Sequence, residues 1–527
     1  MAADTSKGFA SIKLNSPPDL KNLHFNNSLI IFSIFILLFG FNTNVRLFAQ
    51  PNIKSKITQG LDALYNFNFS SAEKTFSSII KNYPDHPAGY HYKSISHLWF
   101  FLDNKGKDHL KNFIAYTDTS IQKAETILNS DSLDKFTLFL LGSIYANRTF
   151  AFTRDESYFD AVLAARKFHA IFNQLLAEDS LYFDAYMGKG LFNFAISQAP
   201  QTWSWAINLA GMTGDRITGL NYLELAAKKG ILTKTEAKFY LSQIYSEFLL
   251  KYQAAKKNLN ELNYRYPKNL LFRFTLANLQ VKIFELSSAS RIYKAIYTST
   301  DTNFIQLKNY AGMALGDILY SNGDYNEARS YYINFLENSN DSHFKGITAL
   351  KIGLSHLIEG DSLSALLYFD KTSEGNKDLD YDYFAKKKGE QYLNKLPDRD
   401  ELKLILIRNM IDAGKLIAAV DSLENFIELP ISDTLRTEAA LYLSEAYFNQ
   451  GKYKKALEYA IAVFSFDDCE SWVKPFACYF AARASKEMKN NVDAEFFVGY
   501  ASNFKNYFFE NKLNDKLSFL SFLLKEK

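Results

Sequence analysis

The 527-residue chain predicts an all-α, right-handed superhelical solenoid. It would hold about eleven or twelve helix–turn–helix units. Three observations carry that reading. Gly323-Asp324-Tyr325-Asn326-Glu327-Ala328 recurs as Gly451-Lys452-Tyr453-Lys454-Lys455-Ala456. Both copies follow a stretch with the same helical apolar spacing. Both are followed four residues later by Tyr332 or Ala460. A phrase repeated in the same local context marks a stack of like units, each too small to bury its own apolar face.

From the amino end, residues 29–41 read LIIFSIFILLFGF, an unbroken apolar run. A membrane span needs about 20 such residues, so the run suits the core of a secretory signal. Ala49 offers a small residue at a cut point, which makes Gln50 the first mature residue. An uncleaved anchor is the alternative. The long segment before the run fits a start codon assigned too early. The expected location is therefore outside the cytoplasm, periplasmic or attached to the envelope. No Cys follows the run, which argues against a lipid anchor. The chain then divides into residues 1–49, an irregular half at 50–265 with an insertion at 198–215, and a more regular half at 266–527.

In residues 53–84, Gly60, Ala63, Phe69, Ala72, Phe76 and Ile79 fit the same two-helix template, and Pro84 follows the second helix. Helices end readily before such a Pro. Residues 136–145 and 184–192, with Gly142 and Gly190, read as first helices. Insertions at 148–155 and 198–215 would displace their second helices. Tyr252, Ala255, Leu259 and Leu262 mark a clear second helix. Regular pairs follow from Leu270, from Asn309, from Gly346 and from Asp400. In residues 437–468, Ala440, Leu443, Ser444 and Tyr447 make one stripe, and Tyr453, Ala456, Ala460 and Val463 the next. Gly451 supplies the left-handed residue between them. Residues 475–501 read as a last pair and 513–524 as a closing helix.

These units resemble the tetratricopeptide repeat, a helix–turn–helix of about 34 residues. Its eighth and twentieth positions take small residues where helices cross, here Ser444 and Ala456. Residues 198–230 carry Pro200, Trp203, Trp205, Gly211, Gly214, Arg216 and Gly219-Leu220. With Gly60, Phe67, Phe69, Ala72 and Phe76, they resemble the inclusion-body-clearance and tetratricopeptide-repeat-protein-39 family over about residues 55–265.

The tetratricopeptide resemblance implies a non-catalytic scaffold that binds protein partners along a groove lined by first helices. The groove positions it implies are Tyr310, Met313, Asp317 and Tyr320 in one repeat, and Leu441, Glu445 and Phe448 in another. Some tetratricopeptide domains clamp a terminal carboxylate with Lys and Asn; Met313 and Leu441 replace that Lys here. Trp203 and Trp205 are candidates for a partner or membrane contact, since Trp is favoured at both. An accessory protein for glycan or peptide uptake is the alternative function.

Composition narrows the remainder. Formal charge is +3, and removing residues 1–49 takes away Lys7, Lys13, Lys21 and Arg46 against Asp4 and Asp19, leaving +1. A nucleic-acid partner needs a basic face, which this balance does not provide. His86, His91, His97 and His109 cluster without acidic or Cys partners at metal-ligand spacing. Gly188-Lys189-Gly190 lacks the spacing of a phosphate loop. No catalytic residue, cofactor site or metal site is expected. Cys469 and Cys478 read as free thiols.

Overall fold

The computed structural model describes residues 51–198 and 213–525. The apolar run at 29–41, the cut point at Ala49, Trp203 and Trp205 lie outside the described residues.

Among the described residues every regular element is a helix. The order is α1 (Pro51–Tyr65), α2 (Phe69–Asn82), α3 (Pro87–Asn104), α4 (Lys107–Ser130), α5 (Lys135–Arg154), α6 (Tyr158–Glu178) and α7 (Ala185–Ser197). After the insertion come α8 (Arg216–Lys229), α9 (Lys234–Glu247), α10 (Tyr252–Arg265), α11 (Leu270–Lys282), α12 (Leu286–Tyr297), α13 (Ile305–Asn322) and α14 (Tyr325–Asn338). The chain continues with α15 (Lys345–Ile358), α16 (Ser362–Asp370), α17 (Asp380–Asn394), α18 (Arg399–Asp412) and α19 (Leu416–Ile427). It ends with α20 (Asp433–Asn449), α21 (Tyr453–Ala462), α22 (Val473–Glu487), α23 (Asn491–Ala501) and α24 (Glu510–Lys525). Successive helices pack as pairs, except that α17 adds a third helix to the pair α15–α16 and α24 a third to the pair α22–α23.

The repeated phrase is a turn. Asp324 N donates to Leu319 O at 2.9 Å, and Lys452 N to Tyr447 O at 2.9 Å. The glycine before each donor sits left-handed, Gly323 at φ 94° and Gly451 at φ 75°. This bond across six residues satisfies a carbonyl that the helix end leaves open. The same bond recurs where no glycine announces it. Asn68 N bonds Ala63 O, Glu285 N bonds Gln280 O and Asn490 N bonds Ser485 O. There Phe67, Phe284 and Lys489 take the left-handed position, at φ 57°, 59° and 63°.

Small residues on first helices have a specific neighbour. A Cβ on Gly60 would meet the Phe76 ring at 2.3 Å, on Gly316 the Tyr332 ring at 2.8 Å, and on Gly353 the Phe369 ring at 2.6 Å. In each repeat the aromatic lies sixteen residues on and stands over the glycine. In the later repeat Ser444 Oγ donates to Ala456 O at 2.8 Å, so those helices touch with no ring between them.

Two expectations need correction. Residues 148–155 are not an insertion: α5 continues through Arg154. The extension is held from outside, because Arg148 donates to Thr117 Oγ1 (2.7 Å) and Ile114 O (3.3 Å) on α4 and pairs with Asp118. Helix α17 also fell outside the repeat windows: Ala385 and Tyr392 pack on α15 and α16, while Tyr381, Tyr383 and Phe384 meet Phe508 and Phe509 far along the chain.

The stack coils back on itself. Asp62 accepts from Tyr266 Oη (2.9 Å) and Arg265 (3.0 Å), and Tyr65 O accepts from Asn269 Nδ2 (2.8 Å). Asp103 accepts from the Gln306 and Leu307 amides at 3.0 and 2.9 Å. All join residues 203–204 apart in sequence, close to six repeats of about 34 residues. Phe67 stacks on Phe304 at 4.6 Å at the same junction. One apolar cluster accordingly runs from Ile53 to Ile318, and a second from Leu404 to Leu524.

Candidate partner-binding groove

The residues expected to line the groove take different places. Tyr310 is half-buried, its ring against Phe335 (5.7 Å) and Phe344 (6.1 Å). Met313 packs on the cluster of Tyr320, Tyr325 and Tyr332. Tyr320 is buried, with its ring 5.3 Å from Tyr325; burial raises its hydroxyl pKa, while Asn409 opposes the rise. Leu441 is buried within the carboxy-terminal cluster. Phe448 is buried under Arg483, whose guanidinium lies 4.0 Å from the ring centre.

The charged positions are both engaged. Asp317 accepts from Tyr332 Oη (2.6 Å) and Lys351 Nζ (2.7 Å). Glu445 is gripped by Arg408, which also holds Asp412 at 2.7 Å and lies 5.1 Å from the Tyr442 ring. Burial works against the Glu445 carboxylate, yet Arg408, and further off Lys516 and Lys512, hold its pKa below the usual range.

Lys512 and Lys516 belong to α24, which packs on α23 and α22 and brings both amines toward Glu445. Asp380 of α17 caps this helix from outside, accepting from Lys512 N (2.9 Å) and Asn511 Nδ2 (3.2 Å). A carboxylate there complements the positive end of the helix. Lys512 Nζ donates to Tyr381 Oη and lies 4.5 Å from that ring's centre. Just before the helix, Phe509 meets Tyr381 (5.4 Å) and Phe384 (5.0 Å). Lys516 lies over Tyr479 at 5.2 Å.

Helix α24 is apolar on two faces. Leu513, Leu517, Leu520 and Leu524 recur at helical spacing and are buried in the carboxy-terminal cluster. Phe519, 3% exposed, belongs instead to the amino-terminal cluster. Its ring lies 4.4 Å from Phe248 and 6.0 Å from Phe194. Arg216 stacks on Phe519 at 4.0 Å and donates to Ser518 O (3.3 Å) and Ser518 Oγ (3.2 Å). The closing helix therefore seals the last pair and also joins the two halves of the solenoid. Sequence reasoning missed Asp380, Tyr381, Phe384 and Tyr479 as parts of this bed. Arg216 did stand out, at the edge of the unusual 198–230 segment.

The histidines divide by environment. His91 is fully buried, and desolvation lowers its pKa to about 3. His97 and His109 approach each other, Nδ1 to Nδ1, at 3.4 Å. Among the described residues no group of three His, Cys, Asp or Glu side chains could hold a metal ion. Nor is any described helix long and apolar enough to cross a membrane. Cys478 is buried and Cys469 half-buried, both free.

Helix pairs, six-residue turns and aromatic-over-glycine crossings are the geometry of a tetratricopeptide-like helical solenoid. More particularly, residues 183–412 match the family model described as Iml2/Tetratricopeptide repeat protein 39, and the chain resembles that family. The match takes in the 198–230 segment but not Gly60 to Phe76, and it reaches past residue 265. The Gly60–Phe76 pattern itself recurs at Gly316–Tyr332 and Gly353–Phe369, so it belongs to the repeat in general. The glycines of the unusual segment are different. A Cβ on Gly219 would lie 2.7 Å from Phe194 N, and one on Gly190 would lie 2.8 Å from Gly219 O, so α7 and α8 meet backbone to backbone.

No curated protein sequence matches the chain. Among solved structures it is similar to a tetratricopeptide repeat protein from Parabacteroides merdae, at 14% identity and a TM-score of 0.25, covering 55% of this chain and 99% of that one. It is also similar to the apo quorum sensor NprR from B. thuringiensis, at 13% identity and a TM-score of 0.29, covering 79% and 98%. Yeast Tom70 matches at 10% identity and a TM-score of 0.28, covering 89% and 94%.

Proposed function

We propose that this protein is an exported, non-catalytic scaffold whose inner face receives a helical segment of a protein partner. One observation carries the reading. Glu445, one of the implied groove positions, already faces an amphipathic helix, α24, with apolar seats on two sides and charged groups at its start. Grooves of this kind read apolar anchors at helical spacing. The apolar run at 29–41 and Ala49 support export, and an exported scaffold would act at the envelope.

Affinity purification of the tagged full-length chain from the native envelope tests this. A stoichiometric protein that co-purifies through salt washing is the expected result. Recovery of no protein, with saturable binding of a glycan, would sink the reading in favour of an uptake accessory. Mass spectrometry of the mature amino end should find Gln50 or a neighbour first; residues 29–41 retained intact would indicate an anchor.

A further inference from the structure

We infer that α24 is an intramolecular occupant of the partner groove, and that a partner helix engages by displacing it. The inference rests on the groove reading above and adds a mechanism of regulation to it. Helix α24 is joined to α23 through one non-helical link, residues 502–509, so packing rather than a tight turn holds it in place. It packs on α23 and α22. It also reaches beyond that last pair to α7, the turn after α9, α8 and α17, through Phe194, Phe248, Arg216 and Tyr381.

Its charges are those of a ligand rather than of a core helix. Among the described residues Lys516 forms no ion pair, and it shares its surroundings with Lys512, Arg483 and Lys282. Leaving would relieve that crowding. It would expose Glu445 beside Arg408, and the Phe248 and Phe194 seat, to an incoming helix. The segment that fits is amphipathic, with Leu at i, i+4, i+7 and i+11, an aromatic two residues after the second Leu, and a cation near its start. That is the pattern of α24 itself.

The test uses the full-length chain and a fluorescent peptide of residues 507–525. The double variant Phe519→Asp and Leu520→Asp should expel its own helix and bind the peptide by anisotropy. Binding at least about tenfold tighter than to the parent chain is expected, because the parent's tethered helix competes. Equal binding to both chains, or none to either, overturns the inference. Should the double variant lose its helical circular dichroism, amide exchange of the unmodified chain decides. Helix α24 should then exchange as a unit at least about tenfold faster than α22 beneath it; equal protection overturns the proposal. A peptide that binds while envelope purification yields no partner would leave the displaceable helix standing and remove the scaffold reading.

Discussion

Lys489 occupies the left-handed turn position that Gly323 and Gly451 fill elsewhere. A side chain there costs roughly 1–2 kcal/mol, and glycine's greater unfolded freedom returns up to about 1 kcal/mol of that. Lys489→Gly should therefore raise stability by less than about 1 kcal/mol. Gly451→Ala should do the opposite. Nothing lies within 4 Å of the added Cβ, so only backbone strain acts, and a loss of about 1 kcal/mol is expected. Urea midpoints of both variants check the pair, and equal shifts in one direction would sink the argument. The glycine phrase made two turns legible, and Gly360 and Gly414 take the same left-handed position in two more. The turns at Phe67, Phe284 and Lys489 stayed hidden because those residues carry no sequence mark of the strain they bear. Lys516 gives a second residue-scale test. Burial, with Lys512, Arg483 and Lys282 adding to it, lowers its pKa from 10.5 to about 7, while Tyr381 opposes; Glu445 faces it as well. Between those values the unfolded chain keeps a proton that the folded chain has released, so stability rises with pH across that window. Below it both states are charged and the whole cost of burying the charge is present. Lys516→Met removes that cost. The variant should melt above the parent at pH 7, with the gap narrowing toward pH 10; a constant gap would mean Lys516 titrates normally.

At the scale of the helix pair, two kinds of crossing coexist. In the earlier repeats an aromatic ring covers a first-helix glycine, whereas α20 and α21 meet through Ser444 and Ala456 with no ring between. Ala456 is fully buried, so Ala456→Leu should overpack the crossing and cost about 1–3 kcal/mol. An unchanged unfolding midpoint would show that the pair can separate freely. Small residues spaced twelve apart were legible in the sequence, and so was the pairing. The ring over the glycine was not, because it depends on a residue in the partner helix sixteen positions on. Helix α17 was illegible for a related reason. Its Asp380, Tyr381 and Phe384 answer to residues 508–512, and nothing in its own spacing names a partner so distant.

At the scale of the whole molecule, the coil is closed twice, once where early repeats lie on middle ones and once by α24. Five buried side chains of α24, Leu513, Leu517, Phe519, Leu520 and Leu524, contribute on the order of 10 kcal/mol at about 2 kcal/mol each. Spontaneous release is then rare, and a partner must replace most of those contacts to hold the groove open. The first closure has a sharper handle. Helix α13 begins after Phe304, whose side chain offers no cap, and Asp103 supplies one from α3, two hundred residues away. Burial raises the Asp103 pKa to about 7, even though both amide bonds favour its charged form. Asp103→Ala leaves the Gln306 and Leu307 amides without their acceptor. Loss of a cap costs about 0.5–2 kcal/mol. Because this cap is also a tie between successive turns of the coil, its loss should act locally. Amide exchange should quicken in α3 and at the start of α13, while α20 and α22, in the other apolar cluster, keep their protection. Uniform loss of protection along the chain would mean that the two clusters unfold as one unit and that the coil has no separable turns.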